Sequence, residues 1–392
     1  MKQVIAVTLL SLRSLPRRLS ASGVAVVGIA GVVVVLVAVL SIAEGFRAVM
    51  QGTGSPDRAL IMRSGADSEM TSGLAGPMTE LIKQAPGIVR DGQRPLASAE
   101  LFVIIDLPKR STGTSANVPM RGVGPEAAEV RQEFSIVEGR MFTFGTNEVI
   151  VGRGAAGQFA GLDVGSEIRS GQVSWRVVGT FETDGSVSET EIWCDARTLQ
   201  GAYRRGNSYQ TVLARLDSPE TFQQFKDELT ADPQLNVQVR REDEYYAGQS
   251  TQLTTLVRIV GFGIAGLMSL GAIFGAILTM YMAVASRARE IATLRALGFN
   301  AFAVVTSVLV ESLGLAALGG AAGGLLALVG FNGYQTSTIN FQTFSQVAFA
   351  FRVTPQLLVM GLVFALFMGL IGGLLPALRA ARLPISAALR QL

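Results

Sequence analysis

The chain has 392 residues, of which 49% are hydrophobic and 16% charged, with 33 Lys and Arg against 30 Asp and Glu for a net charge of +3. Soluble domains carry about 25% charged residues, so the deficit points to a membrane protein, and the 44 glycines suit helices packed closely in lipid. The absence of histidine excludes a Ser-His-Asp relay, a His-ligated zinc or haem and a histidine pH switch; the lone Cys194 excludes an internal disulfide and a C-x-x-C metal or redox pair. No G-x-x-x-x-G-K-[ST] phosphate cradle occurs, so free energy for active work has to come from a partner. The net charge is too small to suggest nucleic acid.

Residues 1–23 form a basic N-terminus with Lys2, Arg13, Arg17 and Arg18. The uncharged stretch from Val24 to Ile42 predicts a first membrane helix over 24–43, because a hydrocarbon core of about 30 Å needs roughly 20 helical residues. Ser41-Ile42-Ala43 resembles a signal-peptidase site, but the apolar run exceeds the 7 to 15 residues usual for a signal peptide, which favours a retained helix. Residues 44–258 read as an α+β domain. Leu101 to Ile105, Glu148 to Val151, Trp175 to Phe181 and Tyr209 to Leu216 alternate as strands. Ser218-Pro219-Glu220 opens a helix with Ser218 as cap and Phe222, Phe225 and Leu229 on one face. The flanks, Ser41 to Gln51 and Glu242 to Arg258, are low in breakers, a composition open to outward continuation of the neighbouring spans as stalk helices.

Further spans follow at 259–285, 301–329 and 353–378, separated by a short connector at 286–300 and a loop at 330–352, with a tail at 379–392. The basic residues before the first span, in the connector and in the tail give +4, +2 and +3, leaving −6 for the rest of the chain. The positive-inside rule therefore puts both termini and the connector in the cytoplasm, which requires an even number of spans. The expected fold is an α-helical membrane protein with four transmembrane helices and an extracytoplasmic α+β domain inserted between helices 1 and 2.

Small residues recur four apart in the last three spans, as Gly271 and Gly275, Gly319 and Gly323, Gly320 and Gly324, and Gly369 and Gly373. Packing within the chain is the first expectation for them and a subunit interface the second. Glu311 lies roughly 15 Å into the third span at 1.5 Å per residue, sharing a helical face with Ser307 and Gly314. Partnership with a loop arginine is expected over proton transport, since the spans hold no second acid or base to relay a proton. The connector S-R-A-R-E-I-A-T-L-R-A-L-G-F-N predicts a short helix with Ala288, Ile291, Leu294 and Leu297 at three-residue spacing and Gly298 as its stop. Its apolar knobs, with Arg287, Arg289, Glu290 and Arg295, suit either an anionic lipid surface or a protein groove. In the tail, Pro376 permits a kink and Pro384 separates two short basic helices carrying Arg379, Arg382 and Arg390. The acidic pairs Asp184 with Glu189 and Glu242 with Asp243 read as solvated surface.

The order of one span, a large external domain, three spans, an R-x-x-E-I-x-x-L-R-A-L-G-like connector and a P-A-x-x-A-A-x-x-x-P-x-x-A-L-R-like tail resembles the MacB/FtsX (type VII) family of ABC transporter permeases. The connector match is Arg287, Glu290, Ile291, Leu294, Arg295, Ala296, Leu297 and Gly298; the tail match is Pro376, Ala377, Ala380, Ala381, Leu383, Pro384, Ala388, Leu389 and Arg390. Val137 to Phe142, Glu148 to Gly152 and Val177 to Gly179 look like the family's external domain. Leu383 and Ala387 stand where many relatives have acids, which leaves the tail a weaker match than the connector.

The resemblance implies a non-catalytic, inner-membrane permease subunit that binds no cofactor itself, with ATP and Mg held by two copies of a separate cytoplasmic ABC ATPase. It implies a second permease chain, expected as a homodimer, contact with membrane lipid, and a periplasmic adaptor and outer-membrane channel as further candidate partners. Arg287, Arg289, Glu290, Ile291, Leu294, Arg295, Leu297, Gly298, Arg379 and Arg382 would couple to the ATPase. The external domain would move as ATP drives the dimer together, in mechanotransmission that exports or extracts a lipoprotein, peptide or hydrophobic small molecule. The alternative is a signalling or scaffold protein of the cell-division type that activates a cell-wall hydrolase without moving cargo.

Overall fold

The computed structural model describes residues 19–382, so Lys2, Arg13, Arg17, Arg18 and the tail positions from Leu383 to Arg390 lie outside the described residues. The chain divides into a helical unit and an α/β unit, the latter comprising Gly45–Thr254 and Gln335–Ala350. The division falls inside two long helices, α1 (Leu19–Gln51) and, as numbered below, α7 (Glu242–Ser286).

The α/β unit contains β1 (Arg58–Arg63), β2 (Leu74–Ala75), α2 (Gly76–Lys83), β3 (Arg90–Asp91), β4 (Arg94–Pro95), β5 (Ala97–Pro108) and β6 (Ser115–Val123). These are followed by α3 (Ala127–Val130), β7 (Ser135–Gly139), β8 (Glu148–Gly152), α4 (Arg153–Gln158), β9 (Glu167–Ser170) and β10 (Val173–Glu182). Then come β11 (Ile192–Asp195), α5 (Ala196–Ala202), β12 (Ser208–Tyr209), β13 (Thr211–Arg215), α6 (Phe222–Ala231) and β14 (Val237–Arg241). One sheet runs in the order β14-β1-β13-β5-β6-β11-β8-β10-β7, with β9 on β10. Its pairs are antiparallel except β6 with β11 and β8 with β10. Three of the four stretches read as strands lie within β5, β8 and β10, and the fourth, Tyr209 to Leu216, is divided between β12 and β13 with Gln210 and Leu216 outside them.

Alternation along the strands sorts side chains to two faces. Odd-numbered residues of β5 supply one face throughout. Ala97 and Ala99 join Ile61, Val212, Val239 and the Phe225 and Leu229 side chains of α6, while Leu101, Val103 and Ile105 join Val118, Met120, Val149, Val151 and Trp175. On that face Gly122 lets α5 lie against β6, since a Cβ there would come within 2.7 Å of Ala196 Cα. The opposite face holds Val123, Ile150, Phe181 and Trp193, and beside them a group of buried charges. Full burial of one such apolar side chain contributes about 1.5–3 kcal/mol. Ser218 departs from expectation. A 3-10 turn over Pro219–Thr221 separates it from α6, and its side chain makes no capping bond. Its carbonyl accepts from the Thr221 N–H and hydroxyl instead.

The helical unit holds the N-terminal part of α1 up to Glu44, the C-terminal part of α7 from Thr255, the short α8 (Ala288–Ala296), α9 (Ala301–Phe331) and α10 (Pro355–Ala381). Four helices, α1, α7, α9 and α10, have the length and composition of membrane crossings. Glycines set their approach. A Cβ on Gly319 or Gly323 would meet the Val26 or Ala30 carbonyl of α1 at 2.9 and 2.6 Å. On the other side of α9, Gly320 faces Ala365, Gly324 faces Leu358, and Gly369 and Gly373 of α10 abut Ala316 and Ser312. Gly271 and Gly275 differ. A Cβ at either meets nothing within 4 Å, and the neighbouring Leu270, Phe274 and Leu278 are exposed. Packing within the chain does not account for that pair, because α7 turns Gly261 and Ala276 inward instead, against Val39 and Gly372.

The 330–352 connection is not a plain loop. It contains an antiparallel hairpin, β15 (Gln335–Ile339) and β16 (Gln346–Ala350), that belongs to the α/β unit.

Candidate coupling site

The helix α8 begins where α7 breaks at Arg287, whose carbonyl accepts from the Ile291 N–H at 2.9 Å. It ends in a Schellman pattern, the Phe299 N–H donating to the Leu294 carbonyl and the Gly298 N–H to the Arg295 carbonyl, both at 3.1 Å. Gly298 at φ +91° supplies the left-handed residue that this cap requires. The Asn300 side chain then accepts from the Phe302 N–H at 3.2 Å and starts α9.

Arg287 points back into the helical unit. Its Nη1 and Nη2 lie 2.9 and 3.3 Å from the two carboxylate oxygens of Glu311, a two-point contact between buried side chains. A carboxylate among apolar helices thus faces an opposite charge. Beside it the Ser312 hydroxyl donates to the Gly369 carbonyl at 2.6 Å, tying α9 to α10. Ile291 is likewise inward, packed with Met280, Val284, Val304, Val308 and Ala377. Arg295 Nη1 donates to the Ala381 carbonyl at 2.7 Å, holding α8 to the end of α10, and Arg379 sits over the Tyr281 ring, 5.3 Å from its centre.

The residues grouped on sequence as a docking set therefore divide. Arg287 and Ile291 are turned into the chain's own core, Leu294 and Arg295 are half-buried, and Arg289, Glu290, Leu297 and Gly298 are exposed. Leu297, 73% exposed, is the apolar residue that α8's end presents outward. Arg382 closes α10, its N–H donating to the Arg379 carbonyl at 3.1 Å.

A second polar centre, in the α/β unit, escaped the sequence reading. Fully buried Arg121 of β6 holds three carboxylates. Its Nε and Nη2 lie 2.7 and 2.8 Å from Glu191, its Nη1 and Nη2 2.7 and 3.0 Å from Glu69, and its Nη1 3.0 Å from Glu100. Arg131 takes Glu100 with two further bonds of 2.7 and 2.9 Å. Arg58 binds Glu133 and also Glu242, which is 3% exposed, so Glu242 is a buried ion-pair member and not solvated surface. The Tyr245 hydroxyl of α7 accepts from the Glu69 N–H at 3.0 Å, and the Trp193 indole donates to Glu191 at 2.8 Å. Burial alone would push the Glu100 carboxyl up, but the Arg131 and Arg121 guanidiniums outweigh it and hold it below the usual carboxylate range. Burial favours a neutral Arg121, yet Glu191 and Glu69 keep its pKa well above the ordinary value. Cys194 is fully buried, which pushes its thiol up and leaves it inert. Among the described residues no cluster of acids and cysteine fits a metal ion.

Four apolar helices, a large α/β insertion after the first and a short braced helix between the second and third define a permease-type membrane subunit. The MacB-like periplasmic core domain family matches residues 22–232 and the FtsX-like permease C-terminal family matches 262–385, and the chain belongs to the MacB/FtsX type of ABC transporter permease. It is 28% identical over 331 residues to the macrolide export ATP-binding/permease protein MacB of Pasteurella multocida (strain Pm70), covering 76% of this chain and 47% of that one. It is 26% identical over 415 residues to the MacB protein of Hyphomonas neptunium (strain ATCC 15444), covering 99% and 61%. The chain thus spans less than two thirds of these relatives. Among solved structures, the periplasmic region of MacB from Actinobacillus actinomycetemcomitans aligns with TM-score 0.36 at 13% identity over 48% of this chain and 89% of that one. The extracellular domain of the noncanonic ABC-type transporter YknZ from Gram-positive bacteria aligns with TM-score 0.35 at 15% identity, over 47% and 99%.

Proposed function

We propose that this chain couples ATP hydrolysis on a separate cytoplasmic ATPase to movement of its α/β unit on the far side of the inner membrane, as one half of a permease dimer. The observation that carries the reading is the construction of α8. Arg287 on Glu311 and Arg295 on the Ala381 carbonyl brace it against α9 and α10, while Arg289, Glu290 and Leu297 remain outward for a partner's groove. A helix held this way passes a push at its outer face to two long helices as a rigid lever. The reading is mechanotransmission and not conduction, because polar side chains described in the spans are engaged in hydrogen bonds within the chain. Ser269, Thr279 and Ser312 donate to the carbonyls of Gly266, Gly275 and Gly369, and Glu311 is bonded to Arg287. The basic N-terminus and connector set α8 on the ATP side. The cargo class is a lipoprotein, a peptide or a hydrophobic small molecule, the last in keeping with the macrolide-exporting names of the relatives.

The test is reconstitution of the chain with its ATPase in liposomes carrying lipoprotein or macrolide. ATP-dependent release or efflux that disappears with Leu297→Asp supports the reading. ATP turnover that moves no cargo but activates a cell-wall hydrolase through the α/β unit would replace it with the signalling role.

A further inference from the structure

The hairpin between α9 and α10 is an ordered body. Its strands pair from Gln335 with Ala350 to Ile339 with Gln346, and Asn340 closes the turn by accepting the Phe344 N–H on its carbonyl and the Gln342 N–H on its side chain. Val347, Phe349, Asn340, Thr343 and Ser345 are buried. The 3-10 turn Val187–Thr190, α4 and β6 cover much of the hairpin, and the parts of α1 and α7 that lie within the α/β unit meet it at a few close points. On α1, Gly45 is the point of closest approach: a Cβ there would come within 2.1 Å of the Ala350 carbonyl oxygen. The next residue, Phe46, meets Phe349 edge to face with ring centres 5.8 Å apart. On α7, Gln249 Oε1 accepts from Asn340 Nδ2 at 2.7 Å, both side chains being buried. The Asn117 side chain of β6 donates to the Phe344 carbonyl at 2.8 Å. One short hairpin thus touches two helices that are far apart in sequence.

We propose that the hairpin is a clasp: by seating the Ala350 carbonyl on Gly45 and Asn340 on Gln249 it holds the α/β-unit segments of α1 and α7 together, so that they move as one body. Glycine is the poorest non-proline choice inside a helix, and its place in α1 is explained by this approach. The clasp itself stands on these contacts, while its part in transmitting motion rests on the permease reading.

Cys194 is the only cysteine and is fully buried, so introduced thiols are labelled selectively in the detergent-solubilised full chain. Spin labels at the exposed positions Gln51 and Thr251 read the separation of α1 and α7; labels at Phe341 and Thr112 read whether the hairpin is seated. The clasp predicts narrow distributions for both pairs. Gly45→Ala, which favours the helix itself, unseats the hairpin and broadens both. Gln249→Ala, which keeps α7 helical, lowers the ratio of seated to unseated hairpin roughly fivefold, the scale of one lost buried hydrogen bond, and adds an unseated component to the Phe341–Thr112 distribution. Should Gly45→Ala fail to fold, the second variant decides alone. An unseated hairpin with an unchanged Gln51–Thr251 distribution overturns the clasp, as does a hairpin that stays seated in the variants. A narrow Gln51–Thr251 distribution in a complex whose two α/β units keep the same separation with and without ATP would count against the permease reading and leave the clasp standing.

Discussion

Replacing Arg121 with Met removes the one cation shared by Glu69, Glu100 and Glu191. Glu100 keeps both of its bonds to Arg131, and Glu191 keeps the Trp193 indole. Glu69 is left with the Thr211 hydroxyl at 3.4 Å. Two buried carboxylates thus lose their counter-charge, and removing one partner of a buried pair costs about 3–5 kcal/mol. Protonation sets a ceiling: neutralising a carboxyl of ordinary pKa near 4.5 at pH 7 costs about 3.4 kcal/mol at 1.36 kcal/mol per unit. The expected loss is therefore roughly 3–7 kcal/mol, since the two sites share one environment and do not add fully. For a unit of this size that lowers Tm by roughly 6–28 °C at 2–4 °C per kcal/mol. Both tryptophans, Trp175 and Trp193, are buried in the α/β unit, so intrinsic fluorescence during unfolding of the solubilised chain reports this unit alone.

The pH dependence separates this cause from a mere packing defect. In the variant the folded state binds more protons than the unfolded state. Its deficit is then largest at neutral pH and shrinks by about 1.4 kcal/mol per pH unit for each orphaned carboxyl as pH falls towards 4.5. The unaltered protein runs the other way. Glu100 is depressed when folded, so its contribution is present above the ordinary carboxylate pKa and is lost as pH falls through the lower folded value. A deficit under about 1 kcal/mol, or one constant between pH 7 and 5, would refute the argument. Arg121→Met combined with Glu69→Leu and Glu191→Leu should recover most of the loss, because apolar replacement of a whole buried ionic group is often neutral.

Glu311→Gln removes the carboxylate that faces Arg287, costs the helical unit roughly 3 kcal/mol and loosens α8, seen as faster tryptic cleavage at Arg289 and Arg295; an unchanged cleavage rate would show that the pair does not brace the helix. Leu297→Asp, at an exposed position, should weaken ATPase association by at least about 2 kcal/mol, roughly thirtyfold, without altering thermal stability, whereas Ile291→Asp should destabilise the helical unit first; equal effects of the two in a pull-down and a melt would contradict the division of α8 into inner and outer faces. Gly323→Ala puts a methyl 2.6 Å from the Ala30 carbonyl and should cost about 1–3 kcal/mol, while Gly271→Ala meets nothing in the chain. Thermal melts of the two variants check this, and a larger loss at Gly271 would reverse the assignment of packing faces.

What sequence revealed and what it hid follows from the range of the interactions. The spans were legible because uncharged length is itself the physical requirement for crossing lipid. The stop of α8 was legible because Gly298 performs a local task within one turn. The face of α6 with Phe222, Phe225 and Leu229 was legible from its period, though the Ser218 cap was not, since the 3-10 turn at Pro219–Thr221 stands between Ser218 and α6 and leaves Thr221 at the helix start. The ionic centre was not legible. Arg121 meets Glu69, Glu100 and Glu191 across 52, 21 and 70 residues, and Glu242 meets Arg58 across 184, so no periodicity marks them. Glu242 beside Asp243 has the look of surface and becomes interior only through sheet topology. Ile291 and Leu297 share a spacing but lie on opposite sides of the question of access, because tight packing around Ala377 and Met280 uses up the first. The hairpin was hidden for a related reason: its five-residue strands carry a weak alternation, and their burial depends on Gly45 and Gln249 elsewhere in the chain.

The central claim is tested most directly by placing spin labels on exposed positions of the α/β unit, in both copies of the chain, within the liposome-reconstituted ATPase complex. The account predicts that trapping ATP shifts the distance between the two α/β units and that hydrolysis restores it, with Leu297→Asp abolishing the shift. Full ATP turnover with distances that never change would contradict it.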